Sequence, residues 1–129
     1  MDLSIVIVNW NTKEMIRQCL NSVFLSFEGL KVFSYNIEII VIDNGSTDSS
    51  YEYLQSLNNK IIFIANHNNL GYAFGCNQGM KRATGKYVLL LGSDTVINEK
   101  STKECIGFLE QNPDCGAVGC KILNPDGTV

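Results

Sequence analysis

The chain has 129 residues, of which 45% are hydrophobic and 18% charged; this is the composition of one globular domain rather than of a disordered segment. Ten Lys and Arg against 13 Asp and Glu give a net charge of −3 with no basic cluster, which argues against a surface that tracks nucleic-acid phosphates. Apolar runs such as Ile61–Ala65 are far shorter than the roughly 20 residues a membrane-crossing helix needs.

The first run, Leu3–Val8, starts two residues from the N-terminus, without the basic region or cleavage site of a secretion signal. It is nearly continuous in Ile and Val, as expected of a parallel strand covered on both faces. Met15, Ile16, Cys19, Leu20, Val23 and Phe24 then recur at helical spacing, and Asn11 with Glu14 reads as a capping box. A second strand is predicted over Ile37–Ile42, a short helix from about Thr47 to Leu57, and a third strand over Lys60–Ile64. Gly71–Ala83 reads as a helix despite glycines at every fourth position, a stripe that suits either tight packing or a ligand lying against the helix. Tyr87–Leu91 reads as a fourth strand. Ser101 and Glu104 read as a capping box for a fourth helix that ends before Asn112-Pro113, and Ala117–Leu123 as a weaker fifth strand.

This alternation predicts an α/β fold with an open, mostly parallel sheet and helices on both faces. Five cysteines without a C-x-x-C pair, and a single His67, disfavour a sulfur–nitrogen metal site and suit reduced thiols; Cys115 and Cys120 have only a weak metal spacing.

In such a sheet ligands bind beyond the carboxyl ends of the strands. Each apolar run ends in polar residues: Asn9-Trp10-Asn11-Thr12, Asp43-Asn44-Gly45-Ser46, Asn66-His67-Asn68-Asn69 and Gly92-Ser93-Asp94-Thr95. Two carboxylates, Asp43 and Asp94, thus come from distant parts of the chain to one rim. Each residue taken singly is equally an ordinary loop or cap residue. Asp48 reads as a first-turn residue that favours the helix dipole rather than a ligand. The glycine-rich dinucleotide fingerprint and the P-loop are both missing. A phosphoacceptor receiver domain would want an acidic pair where Asn9-Trp10-Asn11 stands.

Four blocks in order resemble the opening of family 2 glycosyltransferases. They are Ser4–Asn11, Glu38–Asp48, Asn69–Gly79 and Gly85–Thr95, and the likeness continues through Gly116–Gly119 to Leu123–Gly127. The flavour is similar to the rhamnosyltransferase-like branch. The resemblance implies a GT-A (Rossmann-like) fold in which residues 1–129 form the donor-binding part, with the acceptor-binding part absent. It further implies transfer of a sugar from a nucleotide-diphosphate sugar, of UDP or dTDP type, to a glycan or lipid-linked acceptor, inverting and aided by Mg²⁺ or Mn²⁺. On that pattern Asn9, Asn11, Asp43, Asn44, Asn69, Gly71, Asn77 and Ser93 line the donor site. Asp94, last residue of a D-x-D motif whose first position is here Gly92, meets the metal. Asp43 and Asp94 are then expected beside one another, close enough to share a cation and its pyrophosphate. The general base is expected outside this chain, and the chain alone is expected to be inactive. Location in the cytoplasm or at the inner face of the membrane, and homodimerisation through exposed apolar surface, complete the expectations. A non-catalytic nucleotide-binding module is the alternative, ahead of the receiver-like domain.

Overall fold

The computed structural model describes residues 1–31 and 35–129. Four parallel strands, β1 (Leu3–Asn9), β2 (Ile37–Asp43), β3 (Ile62–Ala65) and β4 (Tyr87–Gly92), form one sheet in the order β3-β2-β1-β4. Their connections are α1 (Lys13–Lys31), α2 (Ser50–Ser56) and α3 (Tyr72–Arg82), and α4 (Glu99–Gln111) follows β4. Among the described residues there is no fifth strand: 117–123 is exposed and unpaired, because a run without a neighbouring strand has nothing to satisfy its backbone.

β1 is buried at every position, as its unbroken Ile-Val run requires of a strand covered above and below. On one face Leu3, Ile5, Ile7, Ile37, Ile39 and Val41 pack with Ile16, Leu20 and Val23 of α1, Leu54 of α2 and Ile106 of α4. On the other, Val6, Val8, Ile40 and Ile42 pack with Cys76 of α3. Helices therefore cover both faces, as the sequence pattern predicts. Coverage of β4 is incomplete: Val88 and Leu90 stay 42% and 44% exposed, in register with Ser4 and Val6 on the α3 face.

The glycine stripe of α3 is explained by packing at two of its three positions. A Cβ at Gly75 would stand 2.8 Å from Val8 Cγ1, and one at Gly79 would strike Val6 and come within 2.9 Å of Ile42 Cδ1. The helix thus lies backbone-on-side-chain against β1 and β2. Gly71 is different: it precedes the helix at φ 87°, in the left-handed region that favours glycine, and is exposed.

Both predicted capping boxes are displaced. At α4 the cap is Asn98, whose Oδ1 accepts from the Ser101 amide at 2.9 Å, so Ser101 lies inside the helix. At α1 the Ile16 amide bonds the Thr12 carbonyl at 2.8 Å, and Asn11, at φ 53°, turns its side chain elsewhere. At the opposite end of the sheet Glu38 accepts from Ser4 Oγ at 2.6 Å and from the Thr84 amide at 2.6 Å, pinning the entry to β4.

Gly79→Ala should lower unfolding free energy by about 1–3 kcal/mol through overpacking, despite the roughly 1 kcal/mol that Ala gains over Gly in a helix. Gly107→Ala in α4, where a Cβ meets nothing within 4 Å, should show the helix gain alone. Urea titration of the two variants checks both; equal effects would overturn the packing account.

Candidate functional site

Strand order places the site. The chain lays β2 and β3 on one side of β1 and then returns to lay β4 on the other, so β1 and β4 meet at a switch in topology, the place where open α/β sheets bind ligands. Asn9, Asp43 and Gly92 end these three strands, with Asn9 beside Asp43 and Val8 beside Gly92.

Asn9 is fully buried at a strand end, where its amide must find partners within the protein. Its Nδ2 donates to Asp43 Oδ1 at 2.8 Å and to Ser46 Oγ at 3.1 Å, and its Oδ1 accepts from Thr12 Oγ1 at 2.7 Å. Thr12 Oγ1 in turn lies 3.1 Å from Ser93 Oγ, which closes the chain of contacts onto β4. Ser46 donates its hydroxyl to Asp43 Oδ1 at 2.6 Å and its amide to Oδ2 at 3.0 Å, and its Oγ accepts from the Asn11 amide at 2.9 Å. Asn11 Oδ1 accepts from the Thr47 amide at 2.7 Å. Three strand ends are thereby held in one hydrogen-bonded belt.

A second network continues from it. Asn44, 1% exposed, donates its side-chain amide to the Gly71 carbonyl at 3.1 Å and to Asn69 Oδ1 at 3.5 Å. It accepts from Asn66 Nδ2 at 2.8 Å, and Asn66 and Gln78 exchange reciprocal amide bonds of 2.7 and 3.0 Å. Asn69 Oδ1 also accepts from the Gly71 amide at 2.9 Å. The start of α3 is therefore fixed relative to the end of β2. Gly45 permits this approach: at φ +73° a Cβ there would stand 2.9 Å from the His67 carbonyl oxygen.

Asp94 stands in the exposed turn after β4. Its carboxylate folds back over the strand end, where a Cβ at Gly92 would meet its Oδ1 at 2.8 Å. Beneath it, the Cys19 thiol donates to the Gly92 carbonyl at 3.6 Å; burial, and then the negative charge of Asp94, push that thiol up to about 12, so it stays protonated. Tyr72, first residue of α3, is also raised, by burial, by its hydrogen bond with Cys76 and in part by the Asp94 charge. The Asp94 charge thus acts on both α1 and α3.

Of the predicted residues, Asn9, Asn11, Asp43, Asn44, Asn69, Gly71 and Ser93 fall within these networks. Asn77 does not: it is exposed on α3, about 7.5 Å along the axis from the helix start. Asn9 and Asp43 are 0% and 1% exposed and spend their polar atoms on each other, Thr12 and Ser46. Direct ligation of one cation by both Asp43 and Asp94 does not fit this arrangement, because β1 separates their strands and Asp43 is 1% exposed among protein partners. No group of three or more His, Cys, Asp or Glu among the described residues is placed to hold a metal. A single exposed carboxylate still fits Mg²⁺ or Mn²⁺, hard ions that commonly take one or two carboxylates and complete their shells with phosphate oxygens and water.

Thr12, Ser46 and Asn66 stand in the predicted rim runs without a role of their own, Gln78 stands outside those runs, and Asp48 reads from sequence only as a dipole partner. Ser46, three residues after Asp43 in a Gly-containing turn, carried a readable signal; the Asn66–Gln78 pairing depends on where α3 docks and carried none. Asp48 Oδ2 accepts from the Lys13 amide at 2.9 Å and its Oδ1 from the Ser50 amide at 3.1 Å, so one carboxylate serves the first turns of α1 and α2. It does more than complement a dipole.

A family model for glycosyl transferase family 2 matches residues 4–129. The chain is 31% identical over 119 residues to the poly-beta-1,6-N-acetyl-D-glucosamine synthase of Staphylococcus aureus (strain COL), covering 90% of this chain and 27% of that protein. The S. aureus TarS 1–349 structure in complex with UDP-GlcNAc superposes with a TM-score of 0.67 at 26% identity, over 88% of this chain and 32% of that one. The mannosyltransferase PcManGT from Pyrobaculum calidifontis, in complex with GDP-Man and Mn²⁺, gives 0.80 at 19% identity over 96% and 36%, a likeness of fold. The fold is that of the GT-A glycosyltransferases. The chain belongs to glycosyl transferase family 2, and it spans about a third or less of the length of these relatives.

Burial raises the Asp48 carboxyl, but hydrogen bonds from the Ser50 hydroxyl and the Lys13 and Ser50 amides outweigh it and hold the group below its ordinary 3.8. A lowered folded value adds stability that is present above the unfolded value and lost as pH falls through the folded one. Asp48→Asn should therefore be less stable than the parent at about pH 5, with the gap narrowing by about pH 3. Urea midpoints at the two pH values test this; a constant gap would remove Asp48 from the acid response.

Proposed function

We propose that this chain is the donor-binding part of an inverting, hexosyltransferase-type enzyme that moves a sugar from a UDP-linked donor to a saccharide or lipid-linked acceptor, with Mg²⁺ or Mn²⁺ at Asp94. The observation that carries the proposal is the exposed Asp94 carboxylate at the β1–β4 switch point, beside a belt of polar groups that ties three strand ends together. Family membership supports the class of reaction. TarS in complex with UDP-GlcNAc supports a UDP sugar, and the rhamnosyltransferase-like flavour of the sequence blocks makes dTDP-linked sugars the second donor class to compare.

Cleavage at the anomeric carbon leaves negative charge on the departing nucleotide diphosphate, and a bound divalent cation supplies stabilisation of that charge. The protein's own part is to orient. Asp94 holds the cation end of the donor at a fixed strand terminus. Asp43 has accepted three of the roughly four hydrogen bonds a carboxylate takes, so its Oδ2 keeps acceptor capacity for a base N–H or ribose hydroxyl, and at 1% exposure it takes up that contact only if the loop after β2 shifts on binding. Asn11, Asn69 and the start of α3, which has no side-chain cap, border the diphosphate and sugar, with Asn77 further along the helix. Thr12 and Ser93 keep the Asn9–Asp43 side and the Asp94 side in register.

The base that takes the acceptor proton comes from the part of the enzyme outside this chain, so the chain binds donor and transfers little sugar by itself. A non-catalytic nucleotide-binding module would bind the same nucleotides, but a full-length enzyme containing this part would then show no transfer. No described helix is long and apolar enough to cross a membrane. The proposal places the reaction in the cytoplasm or at the inner membrane face, with self-association through the exposed Val88–Leu90 face of β4.

Calorimetry with UDP-, dTDP- and GDP-sugars, with and without Mn²⁺, is the test. UDP-sugar binding is expected to strengthen with Mn²⁺, and Asp94→Ala to weaken the Mn²⁺-dependent part by about tenfold or more. Mn²⁺ dependence unchanged in that variant would exclude Asp94 from the site. Gly92→Ala makes the Asp94 carboxylate move, and a surface carboxylate moves cheaply. It should therefore weaken Mn²⁺-dependent binding while leaving the urea midpoint close to the parent's; the reverse pattern would show that Gly92 serves only the fold.

A further inference from the structure

Three of the five cysteines lie away from the strand-end rim. Cys105 is half-buried on α4, and Cys115 and Cys120 lie in the segment that follows it. That segment turns at 112–115, where the Cys115 amide bonds the Asn112 carbonyl at 2.9 Å, and runs back along α4. An open groove of about 500 Å³ separates the two, lined by Lys103, Glu104, Cys105, Phe108 and Val118. On this return Cys120 Sγ comes 3.2 Å from Cys105 Sγ. Cys115 is nearer in sequence but directs its Sγ to the Ala117 carbonyl at 3.1 Å. Cys19 and Cys76 are buried, one on α1 beneath the end of β4 and one on the face of α3 that packs on the sheet.

We propose that Cys105 and Cys120 form a reversible dithiol–disulfide pair, an oxidation site that ties residues 113–120 to α4. Their closeness is independent of the sugar-transfer reading. Cys120 is exposed, whereas burial, and then its hydrogen bond with Cys120, raise the Cys105 thiol to about 11. Entry is therefore through Cys120, since the thiolate is the attacking species. With a low-molecular-weight disulfide as oxidant, the Cys120 thiolate attacks one of its sulfurs, forms a mixed disulfide and releases one thiol. Cys105 then loses its proton to solvent and attacks the Cys120 sulfur, and the second thiol leaves. Two protein thiols are oxidised and one disulfide is reduced to two thiols. Closing the bond needs the sulfurs to approach from 3.2 Å to about 2.05 Å, a small motion for an exposed segment.

The test treats the 129-residue chain with oxidised glutathione and follows intact mass, peptide maps and non-reducing gels. The expected product is a monomer lighter by two hydrogens, with the Cys105 and Cys120 peptides linked and the bond reversed by dithiothreitol. Cys115→Ser should give the same product. Cys105→Ser should stop at one glutathione on Cys120, and Cys120→Ser should lose the two-hydrogen product. Persistence of that product in Cys105→Ser or Cys120→Ser would assign the bond to Cys115 and overturn the pairing. Stable glutathione adducts, intermolecular dimers or no reaction in the parent chain would overturn it equally.

Discussion

The buried side-chain amide of Asn9 is the constraint on which the rim depends. A polar group at 0% exposure costs several kcal/mol if left without partners, so the chain around it must supply them. Here the partners come from three directions: Thr12 from the start of α1, Asp43 from β2 and Ser46 from the loop beyond it. Among the described residues no buried side-chain nitrogen or oxygen lacks a partner. Satisfying one amide thus fixes the relative positions of the loops that follow β1 and β2. The side chains that resemble donor ligands in the family pattern are, for Asn9 and Asp43, first of all the framework of the site.

The same economy appears in α3. Gly75 and Gly79 bring its backbone onto Val6, Val8 and Ile42, and the Asn66–Gln78 amide pair with Asn44 then sets where its first turn sits along the sheet. Packing determines how close the helix lies, and hydrogen bonds determine how far along it lies. Gly71 can then enter the helix with a positive φ and leave its first turn exposed at the rim. On the same rim, Gly92 lets the Asp94 carboxylate fold over the end of β4. The glycine at the first position of the D-x-D-like motif leaves the space that the Asp94 carboxylate occupies.

Much of this was legible in the residues. The near-continuous apolar runs marked four parallel strands; burial on both faces, which leaves no polar side to alternate with, holds for β1 and nearly all of β2 but not for β3 and β4. The polar residues after each run gave the rim, because parallel strands discharge their loops on one edge. Helix ends were less legible. Asn11-Glu14 and Ser101-Glu104 have the spacing of capping boxes, yet Asp48 from 35 residues away and Asn98 take those roles, since a cap is settled by whichever acceptor lies over the free amides. The run 117–123 has strand composition without a strand partner, and pairing is not a local property.

Sequence alone determined the α/β class, the resemblance to family 2 glycosyltransferases and the roster of rim residues, since these follow from periodicity and from motifs of contiguous residues. Tertiary structure decided which of those residues face inward and which stay exposed at the rim. It separated Asp43 from Asp94, recruited Thr12, Ser46 and Gln78, and brought Cys120 to Cys105 rather than to Cys115. The physical reason is that burial, hydrogen-bond partnership and sulfur–sulfur contact depend on distances between segments remote along the chain, which local spacing does not encode.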